Sequence, residues 1–230
     1  MQVGVGSVRG GVVLAVALAA VLGGCAKSPD GDAKSASGAL ASAGGEGTGA
    51  TASGGSIGAA GSRCELPVRF AVAKGWKARA VDAEKELSKT SKGSDGDLSG
   101  AFADAFLRQG PVTTACEIDA KPAGHIGFLR VWTGKPGDAD AGDVLRRFVA
   151  AEDNVSKEKY RSVRTGGGLR GVEVEYLYTS KLLEETKKET AFAVSTPDGP
   201  VVLHLGGMDS EEHDAMRPAY ELAKRTLKLG

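Results

Sequence analysis

The chain has 230 residues, with Lys+Arg and Asp+Glu equal at 29 each and a formal net charge of zero. A nucleic-acid binder carries a basic excess or stripe; this chain has neither, which sets that class aside. All twelve Phe, Trp and Tyr residues lie at or beyond Phe70. Aromatic side chains supply much of a core's buried area, so no domain is expected before about residue 64, and one core is expected over 64–230.

Residues 1–24 read as a signal peptide. Arg9 supplies a positive start, and Val12–Leu22 is an eleven-residue apolar run. A membrane-spanning helix needs about 20 such residues, so the run suits the hydrophobic stretch of an export signal. It ends in Leu22-Gly23-Gly24-Cys25, which resembles the bacterial lipobox. That motif has an aliphatic residue, two small residues that let a protease close on the chain, and a cysteine whose thiol takes a diacylglycerol. The resemblance implies cleavage before Cys25. It also implies a mature chain held at the extracytoplasmic face of the cell membrane by palmitate-type acyl chains. At about 0.8 kcal/mol per buried methylene, two chains anchor stably where one is marginal.

Residues 26–63 are nearly all Ala, Gly, Ser, Thr, Asp and Lys, without an aromatic. Such a segment buries too little apolar surface to offset the entropy of ordering it. Residues 25–63 are therefore expected to form a disordered linker, with about 30–37 Å of root-mean-square reach. Once Cys25 carries lipid, Cys64 and Cys116 remain, and outside the cytoplasm two thiols tend to pair. A Cys64–Cys116 disulfide is expected to contribute about 4 kcal/mol on the loop-entropy model. The chain has no Cys-x-x-Cys and no His near either Cys, so a redox or metal role is disfavoured.

The domain reads as α+β. Pro67–Val72 alternates like a strand and leads to Gly75-Trp76. Leu98, Phe102 and Phe106 stand at helical spacing, predicting a short helix over Leu98–Leu107. Val112–Asp119 and His125–Thr133 read as strands joined by the turn Lys121–Gly124. Asp140 is placed to cap a helix with Val144, Leu145, Phe148 and Val149 on one face. Tyr160–Arg164 and Gly171–Tyr178 follow as strands about Gly166–Gly168. The second puts Val172, Val174, Tyr176 and Tyr178 on one face, and Glu173 and Glu175 on the other, the pattern of a half-buried antiparallel strand. Thr190–Thr196 and Val201–Leu205 flank the hairpin signal Pro197–Pro200. A last helix runs from about Ser210 to Leu227, with Asp209 and Glu212 at capping-box spacing. Its inner stripe is Met216, Tyr220, Ala223 and Leu227, and Pro218 is expected to kink or restart it.

This order has Trp76 soon after the first strand, the Tyr-rich VEVEYLY, the basic crossing KLLEETKKE, the hairpin TAFAVSTPDGPVVLHL and a terminal helix. It resembles the PsbP/Mog1-like fold, and in particular actinobacterial lipoproteins built on it, over roughly residues 64–230. The resemblance implies an antiparallel β-sheet packed between α-helices, and a role in binding or assembly, with no shared catalytic residues to transfer.

No motif calls for a cofactor. His204 and His213 lie where they could approach with Asp209 or Asp214, but no zinc-ligand spacing is present, so surface or half-buried histidines are expected. Gly166–Gly168 and Gly206-Gly207 match no phosphate-binding pattern and read as turns. Glu173 and Glu175 are the one carboxylate pair that hydrolysis of a cell-envelope substrate would use. Alternating Glu on a strand more often adds solubilising charge, here with Lys187 and Lys188 across the sheet to neutralise it. Trp76, Trp132, Tyr176 and Tyr178 are the candidate ligand-binding residues. The leading expectation is a non-enzymatic binding module, membrane-bound through its lipid, for an envelope protein, glycan or lipid.

Overall fold

The computed structural model describes residues 51–83, 85–86 and 107–230, all within one compact unit spanning residues 46–230. The signal peptide, Cys25 and the expected helix at Leu98–Leu107, except Leu107 itself, lie outside the described residues.

Strands β1 (Ser53–Ile57), β2 (Val68–Ala73) and β11 (Lys228–Leu229) form a small antiparallel sheet in the order β1-β2-β11. The larger sheet comprises β3 (Lys77–Ala80), β4 (Arg108–Gln109), β5 (Val112–Asp119), β6 (Gly127–Thr133), β7 (Val155–Arg164), β8 (Arg170–Ser180), β9 (Glu185–Thr196) and β10 (Gly199–Gly207). Its order is β3-β5-β6-β10-β9-β8-β7, with β4 beside β5, and the pairings are antiparallel. Helix α1 covers Ala141–Ala150 and α2 covers Ser210–Thr226.

Alternation along the strands divides the interior in two. Val201, Leu203 and Leu205 of β10 join Phe192, Val194 and the α2 stripe Met216, Tyr220 and Ala223, with Leu227 just beyond it. Val202 instead joins Ala191, Ala193, Val174 and the α1 residues Val144, Leu145 and Phe148. Successive strand side chains point to opposite faces, so β10, apolar on both, reads as one continuous hydrophobic run. Asp140 caps α1 by accepting from the Gly142 and Asp143 amides at 2.8 and 3.1 Å. Asp209 caps α2 through the Glu212 amide at 2.8 Å. The Cys64–Cys116 disulfide, with Cα atoms 6.0 Å apart, joins the segment before β2 to β5.

Four expectations need correction. The ordered fold starts before Cys64, because β1 pairs with β2 and buries Ile57 in the main core. Composition undervalued this segment: a Gly/Ser strand contributes through backbone hydrogen bonds to an existing edge, which side-chain area does not register. The stretch KLLEETKKE is no crossing; β8 and β9 form a tight hairpin with Ser180 opposite Glu185. Strand β7 begins at Val155, earlier than Tyr160, because pairing with β8 orders a segment exposed along its length. Helix α2 does not restart at Pro218 but runs on through it; buried Met216 and Tyr220 on either side hold it against the core, and tertiary packing overrides local preference.

Candidate functional site

A ten-residue helix is about 15 Å long, whereas a twelve-residue strand runs about 40 Å. Helix α1 therefore covers only part of its face of β8–β10. Where the cover stops, the residues change character: Ala193 and Ala191 give way to Glu189 and Lys187 along β9, and Val202 to His204 and Gly206 along β10. The uncovered end forms a cleft of about 680 Å³, within the range of small-molecule sites. Its walls include Phe128, Arg130 and Trp132 of β6, Tyr178 of β8, and Glu152 just past α1. Gly206 keeps the floor open, since a Cβ there would lie 3.1 Å from Glu189 Oε2.

A polar network underlies this cleft. His204 Nε2 lies 2.6 Å from Glu189 Oε2 and 3.2 Å from the Tyr176 hydroxyl. Lys187 Nζ sits 2.9 Å from Glu189 Oε1 and donates to the Gly207 carbonyl at 2.8 Å. The His204 ring stacks on Tyr176 and meets the edge of Phe148, with centroids 6.4 and 5.4 Å apart. The Glu152 amide donates to Val149 O at 3.0 Å, so the end of α1 fixes where Glu152 stands. Gln109 of β4 donates to Phe148 O at 3.1 Å, covering a carbonyl of the last turn.

Burial pushes the Glu152 carboxyl above the ordinary range; His204 opposes the rise, Glu189 adds to it, and hydrogen bonding with the Tyr176 and Gln109 side chains opposes it. Burial also pushes Glu189 up, but His204 and Lys187 together outweigh it and hold this carboxyl below its ordinary value. Burial, reinforced by both carboxylates, pushes Tyr176 well up, so its phenol keeps its proton. Four buried polar atoms at the cleft lack a hydrogen-bond partner: Trp132 Nε1, Glu152 Oε2, His204 Nδ1 and Glu189 Oε2; the last is ion-paired with His204 Nε2, which leaves three. One donor and one carboxyl oxygen thus stand near an imidazole nitrogen that either gives or accepts by tautomer.

The four aromatic candidates divide. Trp132, Tyr176 and Tyr178 come together here, with Trp132 and Tyr176 buried and Tyr178 half-buried. Trp76 lies elsewhere, half-buried against Ala73, Ala219 and Leu222. His204 and His213 are both buried, contrary to expectation, and they face opposite sides of the sheet: His213 Nε2 bonds Thr190 Oγ1 at 2.9 Å. Among the described residues no three His, Cys, Asp or Glu side chains gather as a metal site.

The expected role of Glu173 as exposed charge is also corrected. Glu173 is fully buried, accepts from Tyr220 Oη at 2.8 Å, and pairs with Lys224 and Arg161. Glu175 pairs with Arg217, and that hydrogen bond holds its carboxyl below the usual range. Lys187 and Lys188 serve other partners, Glu189 and Asp214. Strand alternation alone placed these carboxylates in water, because the cations that neutralise them come from β7 and α2, distant in sequence. Glu152 and Glu189 went unnoticed. The same alternation, extended back from Ala191, puts Glu189 on the α1 face; Glu152 follows a helix and has no comparable signal.

Residues 33–227 match the profile of a family described as "Uncharacterised lipoprotein". No curated protein matches the chain. Among solved structures, the chain is similar to the solution structure of cyanobacterial PsbP (CyanoP) from Synechocystis sp. PCC 6803. The identity is 12%, over 83% of this chain and 99% of that one, with a TM-score of 0.47.

Proposed function

Because this chain belongs to the family described as uncharacterised lipoproteins, we propose that it is a binding module, anchored through Cys25 at the extracytoplasmic face of the membrane. Its ligand is a small polar molecule seated in the cleft at Trp132, Glu152 and His204. The observation that carries the reading is the set of three buried, unpartnered polar atoms at one concave site. Buried polar groups are nearly always satisfied, and a ligand with an acceptor for the indole and hydroxyls for the other two would complete them. The two cores, one with each helix, support a sheet flanked by helices on both sides, as in the PsbP/Mog1-like arrangement.

The test follows the indole N–H resonance of Trp132 in nitrogen-15 spectra while envelope glycans, lipid headgroups and peptides are titrated in. A ligand of the cleft shifts this resonance and leaves that of Trp76 in place. Trp132→Phe removes this resonance and so assigns it, at a cost in stability from the space the indole leaves in a buried site. A screen in which Trp132 never moves rejects the reading.

A hydrolytic reading has one observation in its favour, and it concerns a different pair from Glu173 and Glu175. Glu152 and Glu189 share a cleft and are pushed in opposite directions, as acid and base partners are. Recovery of the titrated compounds separates the two readings: a bound ligand returns intact, and a substrate returns cleaved.

A further inference from the structure

Six large apolar side chains are exposed among the described residues, and four of them stand at one end of the large sheet. Leu182 and Leu183, 91% and 70% exposed, form the apex of the β8–β9 hairpin; Met208 and Ile126 are 55% and 52% exposed. Strand register places them together. Gly127, next to Ile126, pairs with Gly207, next to Met208, and the Met208 amide donates to Ile126 O at 2.9 Å. Gly206 pairs with Glu189, and from there β9 runs outward to the apex. At about 3.3 Å per residue, the leucines project some 10 Å past the end of β10. The Leu183 amide donates to Ser180 Oγ at 3.2 Å, and Glu184 takes a left-handed φ of 53° to close the loop. The loop is therefore a shaped one that displays two leucines to solvent.

The same end receives the chain coming from Cys25. Ser53 pairs with Ala73, and the Lys74 amide donates to Ala52 O at 2.8 Å. Thr51 and Ala52 share a cavity with Ala123 and His125 of the loop that precedes Ile126. The 27 residues from Ala26 to Ala52 thus join the domain beside its exposed apolar end.

We propose that this end faces the bilayer, with Leu182 and Leu183 immersed in its interfacial layer. The proposal rests on the anchoring at Cys25 put forward above. Two leucines bind a membrane weakly from free solution, but a tether supplies a high effective concentration, so shallow insertion suffices to orient the domain. Charges near the apex are mixed, with Lys181, Lys187 and Lys188 against Glu184, Glu185 and Asp214. The contact is accordingly apolar and independent of lipid charge. It also turns the cleft, which Met208 and Ile126 help to line, towards the membrane surface.

The experiment uses the full lipidated protein in phosphatidylcholine vesicles, with an environment-sensitive fluorophore on Leu183→Cys. Asp198→Cys, on the exposed hairpin at the opposite end, serves as the control. The expected result is a blue shift and quenching by brominated lipid at position 183, neither at 198, and loss of both at 183 when Leu182→Asp is added. A Met208→Cys label shows a smaller blue shift. Raising the salt or adding anionic lipid changes none of these. A label at 183 that stays in a water-like environment, or one at 198 quenched equally, overturns the orientation. Sedimentation of the same vesicles reads the anchor separately. If the Cys25→Ser chain sediments as fully as the lipidated one, the anchoring reading fails, and this proposal fails with it.

Discussion

The two faces of the large sheet treat buried charge in opposite ways. On the α2 face, Glu173 has no exposed surface and is neutralised: Tyr220 and Lys224 reach Oε1, and Oε2, which has no hydrogen bond, meets Arg161 as an ion pair. On the α1 face, Glu152, His204 and Trp132 each keep a buried polar atom without a partner. Both arrangements remove polar groups from water. Only the first supplies, from within the chain, a cation for each oxygen of the buried carboxylate. Neutralisation marks a group that holds elements together, here α2 and β7 to β8. Incomplete satisfaction, on the function proposed above, marks the place where a ligand completes the set.

The sharpest way to break this contrast is to remove Glu173. Glu173→Ala leaves Lys224, which is 6% exposed, as a buried cation with only the partly exposed Glu221, at 2.8 Å, for counter-charge. Losing one member of a buried pair costs about 3–5 kcal/mol, which appears as a lower urea midpoint at unchanged slope. Glu173→Leu combined with Lys224→Met replaces charge by packing and recovers most of the loss. If Glu173→Ala shifts the midpoint no more than a cleft substitution does, the contrast between the faces is wrong.

A smaller effect of opposite sign is expected in the cleft. Burial raises the Glu152 pKa above its ordinary 4.5. An acid raised by folding gives stability that is complete below its unfolded value and is lost as pH rises through the folded value. Glu152→Gln cannot ionise and escapes that loss. It should be more stable than the parent at pH 8 by about 0.5–1 kcal/mol, and should converge with it below pH 4.5. Thermal unfolding against pH checks this. The same variant should bind ligand less well, as expected where stability has been given up for function. A destabilised Glu152→Gln at pH 8 would mean that this carboxylate supports the fold.

Most of the fold was readable because its signals are local. Asp140 and Asp209 caps, the Met216–Leu227 stripe, the Pro197–Pro200 hairpin and the alternation in β5 and β8 each follow from neighbours in sequence. The disulfide followed from counting thiols in a chain expected to be exported. What escaped depends on contacts distant in the chain. Glu173 looked like surface charge because Lys224 is 51 residues away. Ser53–Ile57 looked like linker because its partner strand, rather than its own side chains, orders it. The cleft was half legible: Trp132, Tyr176 and Tyr178 were named for their rings, while Glu152 and Glu189 acquire their character only when α1 stops short of the sheet's end. Trp76 shows the limit of residue type as a guide, since the same kind of ring serves the outer side of α2.

The least of the expected effects tests whether the faces are independent. His213 is buried in the first turn of α2, with Thr190 on Nε2 and Asp214 at 3.3 Å from Nδ1. Burial pulls its pKa below 6.5; Asp214 and the Glu189 charge resist, and burial prevails. A histidine lowered by folding gives stability that is present above its unfolded value and is lost as pH falls through the folded one. The α2 face should therefore weaken as pH falls below 6.5, while the cleft weakens as pH rises above 4.5 through Glu152. His213→Gln should flatten only the limb on which stability falls with falling pH, and Glu152→Gln only the limb on which it falls with rising pH. The double variant should then show both changes close to their single-variant size, because the two groups share only the charge of Glu189 and no hydrogen-bond partner. A single substitution that flattens both limbs would show that charge on one face is felt through β9 by the other. The carrier would be Glu189, which acts on both groups.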